Sequence, residues 1–370
     1  MSFRTEREIF HSSLAFARHD RPLACHFATL AFLARVIPRI EMFSSRILFT
    51  LGAVIIATLT GTRTVYAADD KVRFSVAAVT GSYMDEFVAI EKGYHREEGL
   101  TVEMIRAGGG IATQALISGD LHFSTSAGSA LSAMLRGAEI KVIYTNIDRP
   151  GYQLWSGHGD IKQLKDLRGK RVGVTSRGDT QELSVRLLLR KYGIDANSVS
   201  YMPVGFGAQR LAALQAGSVD AVPLGAGDFA QLKQPKGHML GDTEKEIRFA
   251  YVGLAVASKL IARQPELVEK FLRSVIKGRE YARRYREQTI AILGKYTRRK
   301  REFNEVDYDS TLPVLTSEGW VGDDIIKEDV AMRAELVNVP APHDYNKFFD
   351  YSLVKKIYRE LKASGWKPAP

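Results

Sequence analysis

Thr101–Gly128 reads TVEMIRAGGGIATQALISGDLHFSTSAG, and Val199–Ala226 reads VSYMPVGFGAQRLAALQAGSVDAVPLGA. The two stretches superpose without gaps at a constant offset of 98. Five of the 28 positions are identical, so the weight rests on where they fall. Met104 meets Met202, Ala115-Leu116 meets Ala213-Leu214, and two glycine pairs, Gly109 with Gly207 and Gly119 with Gly217, mark the turns. Leu100–Arg106 alternates apolar and polar residues with period two, which predicts a strand. The following apolar run predicts a helix closed by Gly119, a helix C-terminal glycine. Each copy therefore reads strand, glycine loop, helix, strand.

The same alternation continues on both sides. Strands are predicted over Val72–Val79, Leu121–Ser124, Lys141–Asn146, Arg171–Thr175, Val199–Val204, Asp220–Leu224 and Phe249–Ser258. Helices are predicted over Tyr83–Lys92, Ile111–Ser118, Ser126–Arg136, Thr180–Tyr192 and Ala208–Ala216. Strand–loop–helix alternation of this kind makes an α/β layer fold, here in two similar lobes. After residue 258 the pattern turns helical. Pro265 and Glu266 open a long helix to about Arg286, followed by Gln288–Tyr296, Asp323–Leu336 and Asn346–Ser364. Val339–His343 reads as a linker.

The chain before the first lobe reads as a leader. Ile47–Thr60 (ILFTLGAVIIATLT) is uncharged, too short to span a bilayer and of the right length for the apolar centre of a secretory signal. Small residues at Val65 and Ala67 suggest cleavage after Ala67. Residues 1–41 are Arg-rich, which leaves two readings: a true start at Met42, or a long signal. The one cysteine, Cys25, precedes the apolar run rather than following it, so it is not read as a lipid-anchored residue. Removing 1–67 leaves 303 residues with no cysteine and lowers the formal net charge from +10 to +6. Thiol catalysis, thiolate metal sites and disulfides are thereby excluded for that portion.

No nucleophile elbow, zinc-protease helix or phosphate-binding P-loop occurs. His95, His122, His158, His238 and His343 lack ligand spacing and read as surface or core residues, so neither a metal nor a cofactor is expected. The paired acids Glu97-Glu98, Asp69-Asp70 and Asp323-Asp324 read as solvated. The basic runs Arg283–Arg286 and Arg298–Arg301 have acids beside them and read as a solvated or docking face, with no nucleic acid expected.

The informative feature is a set of small-residue loops, each between a strand end and a helix. One glycine loop alone is more simply a turn. Six in corresponding places gather on one edge of a parallel sheet, where α/β folds bind ligands. The candidate binding residues are Gly81, Ser82, Tyr83, Gly109, Gly110, Ser126, Ala127, Ser176, Arg177, Gly178, Thr180, Phe206, Gly207, Gly225 and Ala226. Helix N-termini there suit an anion. Arg177 is the leading fixed positive charge, with Arg106 and Arg149 behind it.

At these residues the chain resembles a known family. LKDLRGKRVGVT (Leu164–Thr175), EKGYHREEGLTVE (Glu91–Glu103) and ALQAGSVDAV (Ala213–Val222) are similar to segments of bacterial solute-binding proteins of the nitrate/sulfonate/taurine type. His122 stands where an Asp is common. The resemblance implies a type II periplasmic-binding fold, with lobe I over 71–156 plus 253–370 and lobe II over 157–252. The two crossovers would lie near Trp155–Asp160 and Ala250–Ser258. It implies a monomeric periplasmic protein that closes on a small organic anion, such as an aliphatic sulfonate, and docks on an inner-membrane permease with its ATPase. Binding proteins for the pyrimidine precursor of thiamine are also similar. An enzymatic branch of that group carries a Cys-rich motif, which the cysteine-free portion lacks, so the expectation is a non-enzyme. A sensor that presents its ligand to a receptor is a third reading.

Overall fold

The computed structural model describes residues 70–205, 207–225, 228 and 237–370. The leader, Phe206 and Ala226 lie outside them. The described chain forms two five-stranded mixed sheets flanked by helices, an α/β fold.

The first sheet has strand order β2-β1-β3-β10-β4, with β1 Asp70–Val76, β2 Leu100–Arg106, β3 Phe123–Ser124, β4 Ile140–Ile147 and β10 Val252–Ala257. The second has the order β7-β6-β8-β5-β9, with β5 Tyr152–Ser156, β6 Arg171–Val174, β7 Ser200–Pro203, β8 Ala221–Gly225 and β9 His238–Asp242. The two orders match strand for strand. Three strands run parallel in each (β2-β1-β3 and β7-β6-β8). In each sheet the fourth place is taken, antiparallel, by the strand that arrives from the other sheet: β10 in the first, β5 in the second.

The first passage between sheets therefore lies between Ile147 and Tyr152, ahead of the expected 155–160. Tyr152–Ser156 belongs to the second sheet because it pairs antiparallel with both β8 and β9. The return passage lies between Asp242 and Val252. The two passages run side by side: Phe249 N–H donates to Asp148 O (2.9 Å) and Tyr251 N–H to Ile147 O (3.1 Å). Arg248 pairs with Asp148 on the same seam.

The first sheet carries α1 Met84–Glu91, α2 Tyr94–Glu97, α3 Gly109–Ser118 and α4 Ala127–Leu135. The second carries α5 Thr180–Lys191 and α6 Gly207–Gln215. Gly119 and Gly217 end α3 and α6 at φ +87° and +69°, the left-handed conformation that glycine adopts without a Cβ clash. The remaining helices are α7 Thr243–Glu246, α8 Ser258–Arg263, α9 Pro265–Arg284, α10 Arg286–Thr297, α11 Arg301–Thr311, α12 Asp323–Leu336 and α13 Ser352–Ala363. α9 buries Leu267, Phe271, Val275 and Ile276 against the first sheet.

Two expectations are corrected here, and one helix is added to those expected. Glu98 is not simply solvated: its carboxylate accepts from Lys277 Nζ at 2.7 Å and stands 3.8 Å from Arg273, tying the end of α2 to α9. The run at 298–301 leads into α11, a helix hidden by its charge, and Arg301 pairs with Glu305 and Glu287. α13 begins at Ser352, later than the expected 346.

Phe271 of α9 stacks on Phe123 of β3 (4.1 Å between centroids) and on His95 of α2 (5.1 Å). His95 is 2% exposed; its Nδ1 meets Ser274 Oγ at 2.6 Å and its Nε2 has no partner. Burial lowers its pKa from 6.5 to about 3. Between those values the unfolded chain binds a proton that the folded chain refuses, so stability falls as pH drops through that window. Urea unfolding between pH 7 and pH 4 is expected to show this loss. His95→Gln should flatten the curve, and an unchanged slope would remove His95 as its source.

Candidate functional site

The carboxyl ends of the parallel strands in both sheets face each other. A Cβ at Gly109, the first residue of α3, would lie 3.6 Å from Ser176 Oγ, which follows β6. A Cβ at Gly128, in the first turn of α4, would lie 2.5 Å from Thr180 Cγ2, at the start of α5. Loops of one sheet thus meet loops of the other, and the candidates Gly109, Ser126, Ala127, Ser176 and Thr180 gather along one seam.

The first-sheet side offers donors. Ser126 precedes α4 without capping it, is 9% exposed, and its Oγ has no partner. Its own N–H is used by Ser124 Oγ (3.2 Å). The N-cap residue Ser126 makes no side-chain capping hydrogen bond to α4, so its side chain leaves the first-turn amides of that helix uncapped. Gly81 plays another part. A Cβ there would lie 2.6 Å from Asp307 O, so this glycine lets α11 pack on the loop. Ser82 O accepts from Asn146 Nδ2 (3.1 Å). Gly110 is exposed at the rim with open space around it.

The second-sheet side is different, because carboxylates already take its amides. Asp179, the N-cap of α5, accepts from Gln181 N–H (3.0 Å), Glu182 N–H (2.8 Å) and Ser176 N–H (2.9 Å). Glu182 accepts from Gly178 N–H (2.9 Å). Burial raises the Asp179 pKa, and the three amides oppose that rise. Arg177 is exposed on this loop and makes no ion pair among the described residues. The fixed charge inside is Arg210, on α6 and 3% exposed. It donates to Thr175 Oγ1 (2.8 Å), Pro223 O (3.2 Å) and Gly205 O (3.3 Å), and stands 3.6 Å from Asp228. Asp228 also accepts from Gly225 N–H (3.1 Å), and it occupies the space a Cβ at Gly207 would need. Arg149 lies 3.9 Å from Asp148, its neighbour on the first passage.

Three tyrosines sit where the seam meets the passages. The Tyr152 and Tyr251 hydroxyls contact each other, with the rings edge to face. Gln181 Nε2 donates to Tyr152 Oη (3.1 Å), and Gln181 Oε1 accepts from Thr175 N–H (3.1 Å). Burial raises the Tyr83 hydroxyl pKa, and proximity to Tyr152 and Glu86 adds to the rise. Glu86 is itself 1% exposed, and burial beside Asp85 pushes its pKa up to about 8.

Tyr152, Gln181, Arg210, Asp228 and Tyr251 were not among the sequence candidates. One signal was available for Arg210: at the offset of 98 it replaces Ala112, which is fully buried, so a charge occupies an apolar helix position. Phe206 and Ala226 lie outside the described residues. Among those residues no group of three His, Cys, Asp or Glu side chains could hold a metal, and no helix is long and apolar enough to cross a membrane.

Comparison with known proteins places this geometry. The solved structure of the periplasmic aliphatic sulphonate binding protein SsuA from Escherichia coli superposes with a TM-score of 0.62 at 18% identity, covering 77% of this chain and 99% of that one. The desulfurization enzyme DSZB has the same fold, with a TM-score of 0.57 at 13% identity, covering 79% and 99%. The fold is thus that of periplasmic binding proteins, and it also carries an enzyme. The riboflavin-binding protein RibY of Chloroflexus aurantiacus is 27% identical over 207 residues, 52% of this chain and 56% of that protein. The chain thus spans about half the length of this curated relative. The NMT1/THI5-like family model matches residues 81–289, which takes in both sets of facing loops, and the chain belongs to that family.

Proposed function

We propose that this chain is the solute-binding component of an ABC importer. It acts in the periplasm as a monomer without catalysis, and hands its ligand to an inner-membrane permease with its ATPase. The facing loops are the cleft, and the paired passages are the hinge on which the lobes close. Lobe I comprises 71–147 plus 252–370, and lobe II 152–242.

The ligand we infer is a planar heterocycle with hydrogen-bonding edges, of the pyrimidine or flavin class. The observation that carries this is the state of the second lobe's amides. Asp179 and Glu182 occupy the donors that a compact anion would use, and Asp228 counters Arg210. A second anion there would face like charge in a poorly solvated place. Tyrosine rings and hydroxyls suit a flat, partly apolar ligand. The name of the RibY relative fits this class. A second reading keeps the small organic anion, aliphatic sulfonate or taurine-like. It is favoured by the unpaired Arg177 and by the uncapped N-terminus of α4 with Ser126 Oγ.

Thermal shift separates the two. Saturating riboflavin or 4-amino-5-hydroxymethyl-2-methylpyrimidine is expected to raise Tm, since ligand at 100 times Kd adds about 2.7 kcal/mol. Taurine, ethanesulfonate and nitrate should not. A shift with the sulfonates alone would favour the second reading, and there Arg177→Ala should cost about 1.5–3 kcal/mol of binding. On the heterocycle reading Arg177→Ala is neutral, and Tyr152→Phe weakens binding about fivefold through one lost hydrogen bond.

Closure has its own test. Gly128→Ala adds a methyl where Thr180 of the other lobe and Arg333 stand. Alanine in a helix is about 1 kcal/mol better than glycine, so α4 itself is not weakened. Isothermal titration is expected to show about tenfold weaker binding if the closed form falls to a tenth of its population. Unchanged affinity would mean that the lobes close without this contact.

A further inference from the structure

Helix α12 lies beyond the family match at 81–289, yet it touches both lobes. Ile326, Val330 and Ala334 recur every fourth residue and enter the lobe I core. Met332 and Leu336, also four apart, pack on the lobe II core. Between these stripes runs a third pair, Asp329 and Arg333, both fully buried. At 100° per residue the three stripes occupy adjacent sectors of one helix, so α12 is a wedge with a polar ridge between two apolar faces.

The ridge is bonded to the hinge and to the cleft. Arg333 Nε donates to Asp329 Oδ1 (2.5 Å), and Arg333 Nη1 donates to Gly128 O (2.9 Å), in the first turn of α4. Asp329 Oδ2 accepts from Ala250 N–H (3.1 Å), on the return passage. The Arg333 guanidinium lies over the Phe249 ring, 5.3 Å from its centroid. At the far end Glu335 pairs with Arg190 of α5, beside a groove lined by Leu187, Ile194, Met332 and Leu336.

We propose that α12 is an interlobe latch. It holds the described arrangement, in which the cleft loops meet, by seating Met332 and Leu336 on lobe II while Asp329 and Arg333 hold α4 and the hinge in register. Release of the Met332–Leu336 face lets lobe II swing away. The proposal rests on the closure reading above, but it governs the unliganded chain as well. An exposed pair such as Arg190–Glu335 contributes little, so the apolar seat carries the latch.

The full chain bearing Cys25→Ser, with spin labels at Lys165→Cys in lobe II and Glu266→Cys in lobe I, reports the interlobe distance without ligand. The double variant Met332→Ser/Leu336→Ser is expected to lengthen and broaden that distance. It should also weaken riboflavin or taurine binding, whichever the thermal shifts identify, about tenfold, as for a competent form reduced to a tenth of its population. Glu335→Arg, which touches neither core, should shift the distance in the same direction by less. An unchanged distance in the double variant would overturn the latch. This readout needs no ligand, so a failed ligand assignment and a failed latch are told apart. Loss of the far-ultraviolet helical signal would show that the double variant unfolds, and the milder single variant Leu336→Ala, which trims the apolar seat alone, then decides: a longer distance supports the latch, an unchanged one overturns it.

Discussion

Everything in this architecture depends on two short passages that bond to each other. Phe249 and Tyr251 donate to the carbonyls of Asp148 and Ile147, so the connections run as a narrow pair rather than as separate tethers. A pair of this kind bends more readily than it shears. It fixes which edges of the sheets can approach: the carboxyl ends of the parallel strands, where the loops are. The passages also supply the antiparallel strands. β5 begins at Tyr152 immediately after the first crossing, and β10 begins at Val252 immediately after the return. Each sheet is therefore completed by a strand that enters directly from one of the two passages.

The two sides of the hinge are stabilised differently. Lobe I has a buried polar centre: Asp85 accepts from Tyr144 Oη (2.8 Å), and Arg279 Nη1 donates to the same hydroxyl (2.9 Å). Burial raises the Asp85 pKa, and Arg279 opposes the rise. Removing either charge would leave the other unpaired out of water, which costs about 3–5 kcal/mol. This network joins α1, β4 and α9 within the first-sheet core. Lobe II is smaller and is assembled around Leu154, Val172, Leu188 and Phe249. It borrows Met332 and Leu336 from α12, a helix anchored in lobe I.

Much of this was legible in the residues, and the omissions have physical causes. The alternation in LTVEMIR set β2 to its residue limits, and the helix expected over Asp323–Leu336 is α12 to its limits. Glycines at 119 and 217 marked both helix ends. β5 and β9 were missed because their partners lie far away in sequence: Tyr152 pairs with Gly225, and Gln153 with Asp242. No local pattern reports such pairing. α11 was missed because its i,i+4 charges read as a surface run. Among the candidate residues, the glycine loops lie at the facing strand ends, but their side-chain chemistry was not legible. Tyr152 and Tyr251 are 99 residues apart and meet only through the hinge. Asp179 lies within a small-residue loop in the sequence, and only the structure shows that with Glu182 it takes two loop amides and two first-turn amides of α5.

That last point bears on the polarity of the two facing loop sets. A helix N-terminus binds an anion because its amides are unpaired and carry partial positive charge. At α5 the anion is already present and covalently part of the chain. At α4 it is not, and Ser126 adds an unpaired hydroxyl. One wall therefore donates hydrogen bonds, while the other presents carboxylates, a glutamine and tyrosine hydroxyls. A ligand that spans the seam must accept on the first side and donate, or lie flat against rings, on the second. On the reading proposed above, a sulfonate would meet only the first wall, whereas a heterocycle with a carbonyl or ring nitrogen on one edge and an amino or imino group on the other would meet both and gain from contact with both lobes. Differential contact with both lobes is what shifts the hinge equilibrium toward closure.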